Sequence, residues 1–311
     1  MELPVISSTS IEKSDTEEKG LVQIPYYPGC TLNTVAKDFD QSARVSARIL
    51  GFELAELNKW NCCGASFPLT PDNIIGLTGP ANVLISAKRE GEQVATMCSF
   101  CYNTLKRTNR VMKEEDDSRN VVNDFLETDY KGEVKVIHLL EVLRDVVGFE
   151  KLKSKVVRPF KDLKVAAYYG CMLLRPHQEI GMDPNHESPT IFETFLKALS
   201  CKPVDYPHKG ECCGSHLAMS DEKIVVRLSG QVVDSAREAG AELITTSCPL
   251  CFYNLERAQQ QKMSDEKGYQ KLPVIYFTQI LGLALGQDLA ALGFTGNGVD
   301  PIPLLKEQGI V

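Results

Sequence analysis

The sequence predicts an α/β protein made of two pseudo-symmetric copies of one unit, each a small, mostly parallel sheet with flanking helices. Three observations predict it. Short β-rich apolar runs alternate with segments of helical periodicity along the chain. One cysteine spacing occurs twice. Each cysteine group also stands at the end of a predicted strand, where parallel α/β sheets gather their ligands.

The elements follow in order. Residues 1–22 form a polar extension, and the first unit spans residues 23–150. In it, residues 23–27 read as a strand, 39–50 as a helix with apolar positions three and four apart, and 92–97 as a buried strand feeding a Cys-x-x-Cys turn. Residues 102–113 continue as a helix, and Val136-Ile137-His138 leads into an apolar helical run. A basic stretch, 148–161, is the expected junction. The second unit, 160–290, repeats the plan with strands at 164–169 and 242–246, helices at 189–199 and 252–261, and Val274-Ile275-Tyr276 in place of Val136-Ile137-His138. A tail, 291–311, rich in Gly and Pro from Gly293, is expected to pack over the surface.

The composition is that of a soluble globular chain, with 43% hydrophobic and 24% charged residues among 311. A formal net charge of −7 runs against a nucleic-acid binder. The first twenty residues carry neither a basic n-region nor an apolar h-region, so they do not read as a secretory signal. The longest apolar stretch, 280–294, is broken by Gly282, Gly286, Gln287, Asp288 and Gly293, too often for a membrane helix. The expected location is cytoplasmic. In that reducing compartment the eleven cysteines are expected to be metal or redox ligands rather than a disulfide frame.

Ten of the eleven fall into two matching sets. The first is Cys30, Cys62, Cys63, Cys98 and Cys101; the second is Cys171, Cys212, Cys213, Cys248 and Cys251. The last four of each set are 150 residues apart, whereas Cys171 follows Cys30 by 141, so the second copy has nine extra residues before its adjacent pair. The flanks repeat too: Tyr27-Pro28-Gly29-Cys30 with Tyr169-Gly170-Cys171, Asn61-Cys62-Cys63-Gly64 with Glu211-Cys212-Cys213-Gly214, and Cys98-Ser99-Phe100-Cys101-Tyr102-Asn103 with Cys248-Pro249-Leu250-Cys251-Phe252-Tyr253-Asn254. This is a two-copy duplication; its period far exceeds that of a solenoid.

Five thiols per set exceed the four that a structural zinc site or a four-cysteine cubane uses. Adjacent residues of an extended chain point to opposite sides, so an adjacent pair does not easily hold one metal atom without a bend. Gly64 and Gly214 would permit that bend. The pair suits a polynuclear iron–sulfur site spanning more than one iron better than it suits zinc.

The arrangement closely resembles the cysteine-rich CCG domain, Cys-x(31–39)-Cys-Cys-x(34–36)-Cys-x-x-Cys, with observed gaps of 31 and 34 in the first copy and 40 and 34 in the second. The gap of 40 departs from the pattern and lengthens the loop through His177 and His186. Two complete copies, from about residue 24 to residue 286, are similar to the family of heterodisulfide reductase catalytic subunits (HdrB). The resemblance implies that Cys30, Cys62, Cys63, Cys98 and Cys101 hold one non-cubane [4Fe-4S] cluster, and Cys171, Cys212, Cys213, Cys248 and Cys251 a second. It further implies a disulfide held between them, coenzyme M–coenzyme B in methanogenesis, and cleaved to two thiols by one electron from each cluster. No ferredoxin-type cysteine run is present, so electrons are expected from the ferredoxin-like and flavin-containing subunits of a heterodisulfide reductase complex.

Other residues are weighed against plainer roles. Cys201 lies outside the repeat and reads as structural. Among His138, His177, His186, His208 and His216, only His216, three residues after Cys213, is singled out, as a donor to sulfur or to a leaving thiolate. Arg175, close after Cys171, is the candidate for an anionic substrate group. Lys106, Arg107 and Arg110 read as a solvated helix face or a partner contact. Two other functions stay open: a CCG-type electron-transfer subunit of a succinate/fumarate, glycolate or lactate oxidoreductase, and a zinc-binding interaction module.

Overall fold

The protein is described by a computed structural model covering residues 20–65, 74–185, 187–265, 267–294 and 296–311. Among the described residues eight short strands form two four-stranded sheets. The first contains β1 (Val22–Tyr26), β2 (Phe52–Glu56), β3 (Gln93–Thr96) and β4 (Lys135–His138) in the order β2-β1-β3-β4. The second contains β5 (Lys164–Tyr168), β6 (Lys202–Val204), β7 (Leu243–Thr246) and β8 (Val274–Tyr276) in the order β6-β5-β7-β8. Every pairing is parallel. Parallel strands are covered on both faces and so read as continuous apolar runs; all four residues of Leu243–Thr246 are buried.

The crossovers are helices. Lys37–Leu50 joins β1 to β2 and buries Phe39, Ala43, Ala47 and Leu50, one helical stripe, before ending at Gly51 in the left-handed region with φ 91°. In the second sheet the corresponding helix is Ile191–Ala198. Ile74–Glu90 joins β2 to β3, and Glu222–Glu238, started by the Asp221 carboxylate accepting the Ile224 N–H at 3.1 Å, joins β6 to β7. Ser99–Glu114 and Pro249–Asp265 begin directly after Cys98 and Cys248. Each Cys-x-x-Cys therefore lies in a first helical turn, not in a turn ahead of the helix as the sequence suggests.

In each sheet the chain leaves the first strand toward one edge and the third strand toward the other. The crevice between their carboxyl ends, β1 with β3 and β5 with β7, is the topological switch point of the sheet.

The two sheets share an aromatic seam. Phe39 of the first half stacks on Tyr276 of the second at 4.2 Å, and Phe277 meets Phe39, His138, Phe192 and Phe195 at 5.7–5.9 Å. Beside it the hydroxyls of Ser42 and Thr278 lie 2.6 Å apart, both buried. The tail does more than cover the surface, because Leu292, Val299, Leu305 and Ile310 are buried. Gln41 donates to the Ala290 and Ala291 carbonyls at 3.1 and 2.9 Å, which ties this tail to the first half. Among the described residues no helix is long and apolar enough to cross a membrane.

Candidate functional site

All ten repeated cysteines come to the switch-point crevices. Cys30 lies in the short helix Gly29–Thr34 after β1, Cys62 and Cys63 follow β2, and Cys98 and Cys101 follow β3. The second set repeats this around β5, β6 and β7. Gly29 and Gly170 have φ of 76° and 64°, and Gly64 and Gly214, directly after the adjacent pairs, 71° and 82°, so the expected bends are made in the region that favours glycine. At Gly29 a Cβ would lie 2.8 Å from Cys101 Sγ.

The thiols stand in neighbouring pairs. Cys62 Sγ is 3.5 Å from Cys30 Sγ, and Cys63 Sγ is 3.6 Å from Cys101 Sγ. The matching Cys213–Cys251 separation is 3.4 Å. Adjacent cysteines thus face different neighbours, Cys62 exposed and Cys63 buried. Among the described residues no three His, Cys, Asp or Glu side chains converge to hold a single metal ion.

The sulfurs are met by donors. Gly64 and Gly214 give their N–H to Cys62 and Cys212 at 3.4 and 3.3 Å, and Cys251 gives its N–H to Cys248 at 3.5 Å. Cys213 Sγ lies 2.8 Å from Ser215 Oγ and receives the Asn254 amide at 3.6 Å. The contact with Cys171 lowers the Cys212 thiol to about 6, the Gly214 N–H and the His216 charge adding to it against burial. The Cys213 thiol falls to about 7, chiefly through Cys251, then Ser215 and Asn254. Their partners Cys171 and Cys251 move upward. In the first set Cys63 is lowered, chiefly by Cys101 and Cys62.

A tyrosine completes each crevice. Tyr27, three residues before Cys30, donates to the Asn61 carbonyl at 3.0 Å; Tyr168, three before Cys171, donates to the Glu211 carbonyl at 2.8 Å. Each fixes the residue ahead of an adjacent pair. Their equal offset from the lone cysteines is the signal in the sequence, and the shorter Tyr-Gly-Cys match at Tyr169 masks it.

The two sets meet across the seam. Ser99 donates its N–H to the Ser247 carbonyl at 3.2 Å, and the two hydroxyls lie 2.8 Å apart. Phe100, between Cys98 and Cys101, is 5.3 Å from the exposed His216 ring. His216 is therefore beside both sets. Arg175 stands at the edge of the second, donating to the Gly210 carbonyl at 3.1 Å and lying 3.6 Å from a Glu211 oxygen.

The remaining candidates have structural roles. His138 is buried and held neutral, its pKa lowered to about 3 by burial, while its Nε2 bonds the Met97 carbonyl at 2.8 Å. Cys201 is buried and burial raises its thiol. His177 opens the short helix His177–Ile180, His208 lies in the turn Pro207–Gly210, and His186 falls outside the described residues. Lys106 and Arg107 are half-buried and Arg110 is exposed, and all three reach the second copy. Lys106 donates to the Ile180 carbonyl at 2.5 Å, and Arg107 and Arg110 pair with Glu179 at 3.2 and 2.6 Å. Asn103 adds bonds of 2.8 and 2.7 Å to the Met172 and Arg175 carbonyls. The long second-copy loop is thereby fastened to the first copy's helix.

The donor set fits iron–sulfur ligation: five thiols per crevice, several of them lowered or placed against N–H donors, in adjoining pairs rather than one tetrahedral group.

The family model for the cysteine-rich domain CCG matches residues 24–106 and again residues 165–256. The chain belongs to the CCG cysteine-rich domain family. It is 33% identical to the 8-methylmenaquinol:fumarate reductase membrane anchor subunit of Wolinella succinogenes, over 91% of this chain and 99% of that one. It is 29% identical to the HdrB-type subunit of the ferredoxin/F420H2-dependent CoB-CoM heterodisulfide reductase of Methanosarcina acetivorans, over 92% of this chain and 97% of that one. An HdrB-like protein of Archaeoglobus profundus is 28% identical over 86% of this CCG chain and 92% of its own. A crystal structure of a hypothetical Helicobacter pylori protein shares the fold, with a TM-score of 0.70 and 15% identity over 88% of the CCG chain, which spans about half (51%) of that protein.

Proposed function

We propose that this CCG protein is the disulfide-reducing subunit of a heterodisulfide reductase-type complex. The observation that carries the reading is the Ser99–Ser247 contact, which brings two complete five-thiol sets edge to edge. One disulfide could then meet both. Its reduction takes two electrons and two protons: the S–S bond breaks and two thiols leave. The ten cysteines would hold two non-cubane [4Fe-4S] clusters, each supplying one electron when present. The ferredoxin-like and flavin-containing subunits of such a complex would deliver the electrons.

The chain's own residues supply the rest. The Gly214 N–H adds to the lowering of the Cys212 thiol, whereas at Cys62 the Gly64 N–H works against a rise that comes chiefly from Cys63. Tyr27 and Tyr168 hold the backbone that carries those pairs. His216, beside Cys212 and Phe100, would give a proton to a departing thiolate.

The likeness to a component of a fumarate reductase favours a second reading, in which the same two sets pass electrons within a fumarate reductase-type complex. Anaerobic assays with reduced viologen separate the two. Disulfide reduction that disappears in both Cys62→Ala and Cys212→Ala supports the first reading. Reduced-donor turnover with fumarate only in a reconstituted complex, and none with disulfides, supports the second. Zinc without acid-labile sulfide in anaerobically purified protein overturns both in favour of an interaction module.

A further inference from the structure

The two crevices are alike in their thiols, glycines and tyrosines, yet they differ at their open edges. Four residues after Cys171 stands Arg175; four after Cys30 stands Thr34. Thr34 turns its hydroxyl back onto the Cys30 carbonyl at 2.9 Å, so the matching position of the first set carries no guanidinium. Arg175 is held on three sides. Its N–H bonds the Cys171 carbonyl at 2.9 Å, its own carbonyl accepts from Asn103 of the first half at 2.7 Å, and its guanidinium donates to the Gly210 carbonyl at 3.1 Å. The backbone of Arg175 is thus fixed next to Cys171 and to the first half, and its head group reaches the Gly210 carbonyl, two residues before Cys212.

The head group is placed but not neutralised. Its side chain is 58% exposed, and the partner carboxylate, Glu211, is 3.6 Å away and 56% exposed. So long and solvated a pair is weak, and a guanidinium has five N–H donors in a planar fork suited to carboxylate, sulfonate or phosphate.

Resting on the disulfide-reducing reading above, we infer that Arg175 selects an anionic substrate and orients it. The acidic end of an unsymmetrical disulfide lies at the second thiol set, displacing Glu211 from the guanidinium, and the other end lies at the first set, where Thr34 takes the place of the arginine. Pseudo-symmetry alone would accept the molecule either way round; the single arginine makes one orientation the better bound. Arg175 is thus a specificity-determining residue, touching the substrate away from the bond that breaks.

The test compares the anionic 3,3′-dithiodipropionate with the neutral 2-hydroxyethyl disulfide, using reduced methyl viologen and the cluster-loaded chain. In Arg175→Gln the ratio of KM for the anionic to the neutral disulfide is expected to rise about tenfold, the loss of one charge-assisted contact. Arg175→Lys should restore part of the ratio, and it carries the comparison if Arg175→Gln loses iron and sulfide. An unchanged ratio in these variants overturns the inference. If the parent protein reduces neither disulfide, the functional reading falls separately, and Arg175 is judged by anaerobic calorimetry with 3-mercaptopropionate against 2-mercaptoethanol. A Kd for 3-mercaptopropionate about tenfold weaker in Arg175→Gln supports the inference. An equal Kd, or no binding by the parent, overturns it.

Discussion

Ser99 and Ser247, each next to a cysteine of a different set, are tied three ways: the Ser99 N–H and hydroxyl meet the Ser247 carbonyl at 3.2 and 3.3 Å, and the two hydroxyls lie 2.8 Å apart. Both are buried, so neither hydroxyl has water as an alternative partner. Ser99→Ala is expected to lower stability by about 1–2 kcal/mol, since it strands the Ser247 hydroxyl. Ser99→Ala with Ser247→Ala should cost less than the two single changes together, which a double-mutant cycle in denaturant measures.

Gly29→Ala and Gly170→Ala should differ despite their equivalent positions. Both residues have positive φ, but the added Cβ lies 2.8 Å from Cys101 Sγ at Gly29 and 3.4 Å from Cys251 Sγ at Gly170. The first substitution must displace a thiol, so iron content should fall by about half, whereas the second should keep most of its iron. Iron and labile-sulfide analysis of the two purified variants checks this.

Glu256 carries a pH dependence. It is buried, accepts the Val299 N–H at 2.8 Å, and burial raises its pKa from 4.5 to about 7. The folded state therefore holds the proton more tightly than the unfolded chain. Its stability is fullest below the unfolded pKa and is lost as pH rises through about 7, by on the order of 2–3 kcal/mol. Glu256→Gln should flatten that decline, seen as denaturation midpoints that differ less between about pH 5 and about pH 8 than in the parent.

Glu179 fastens the long loop of the second copy through Arg107 and Arg110. Its side chain is only 14% exposed, although the guanidinium groups it meets are 35% and 47% exposed. Glu179→Gln should speed amide exchange in residues 177–182 while leaving that of β3 and β7 unchanged.

Much of this was legible in the sequence because the repeat fixes which residues are equivalent, and strand periodicity then places them at strand ends. The ten cysteines and the glycines after them needed nothing more. The helix after each Cys-x-x-Cys starts three residues earlier than its apolar pattern indicates, since Ser99 and Pro249 are ordinary helix-starting residues that carry no apolar signal. Lys106, Arg107 and Arg110 look solvated in the sequence because their partners are a backbone carbonyl, at Ile180, and one carboxylate about seventy residues away. Backbone acceptors have no sequence signature. The Ser99–Ser247 contact and the approach of Phe100 to His216 depend on how the halves dock, which no local pattern encodes.

The aromatic seam makes the duplication irreversible. Phe39, Tyr276 and Phe277 each complete a layer begun by the other half, and the tail after Phe277 grips the first half again at Gln41. A gene cut back to one copy would release a half with its greasiest wall turned to water. Buried residues of both halves belong to one core, so each copy serves as the other's missing wall.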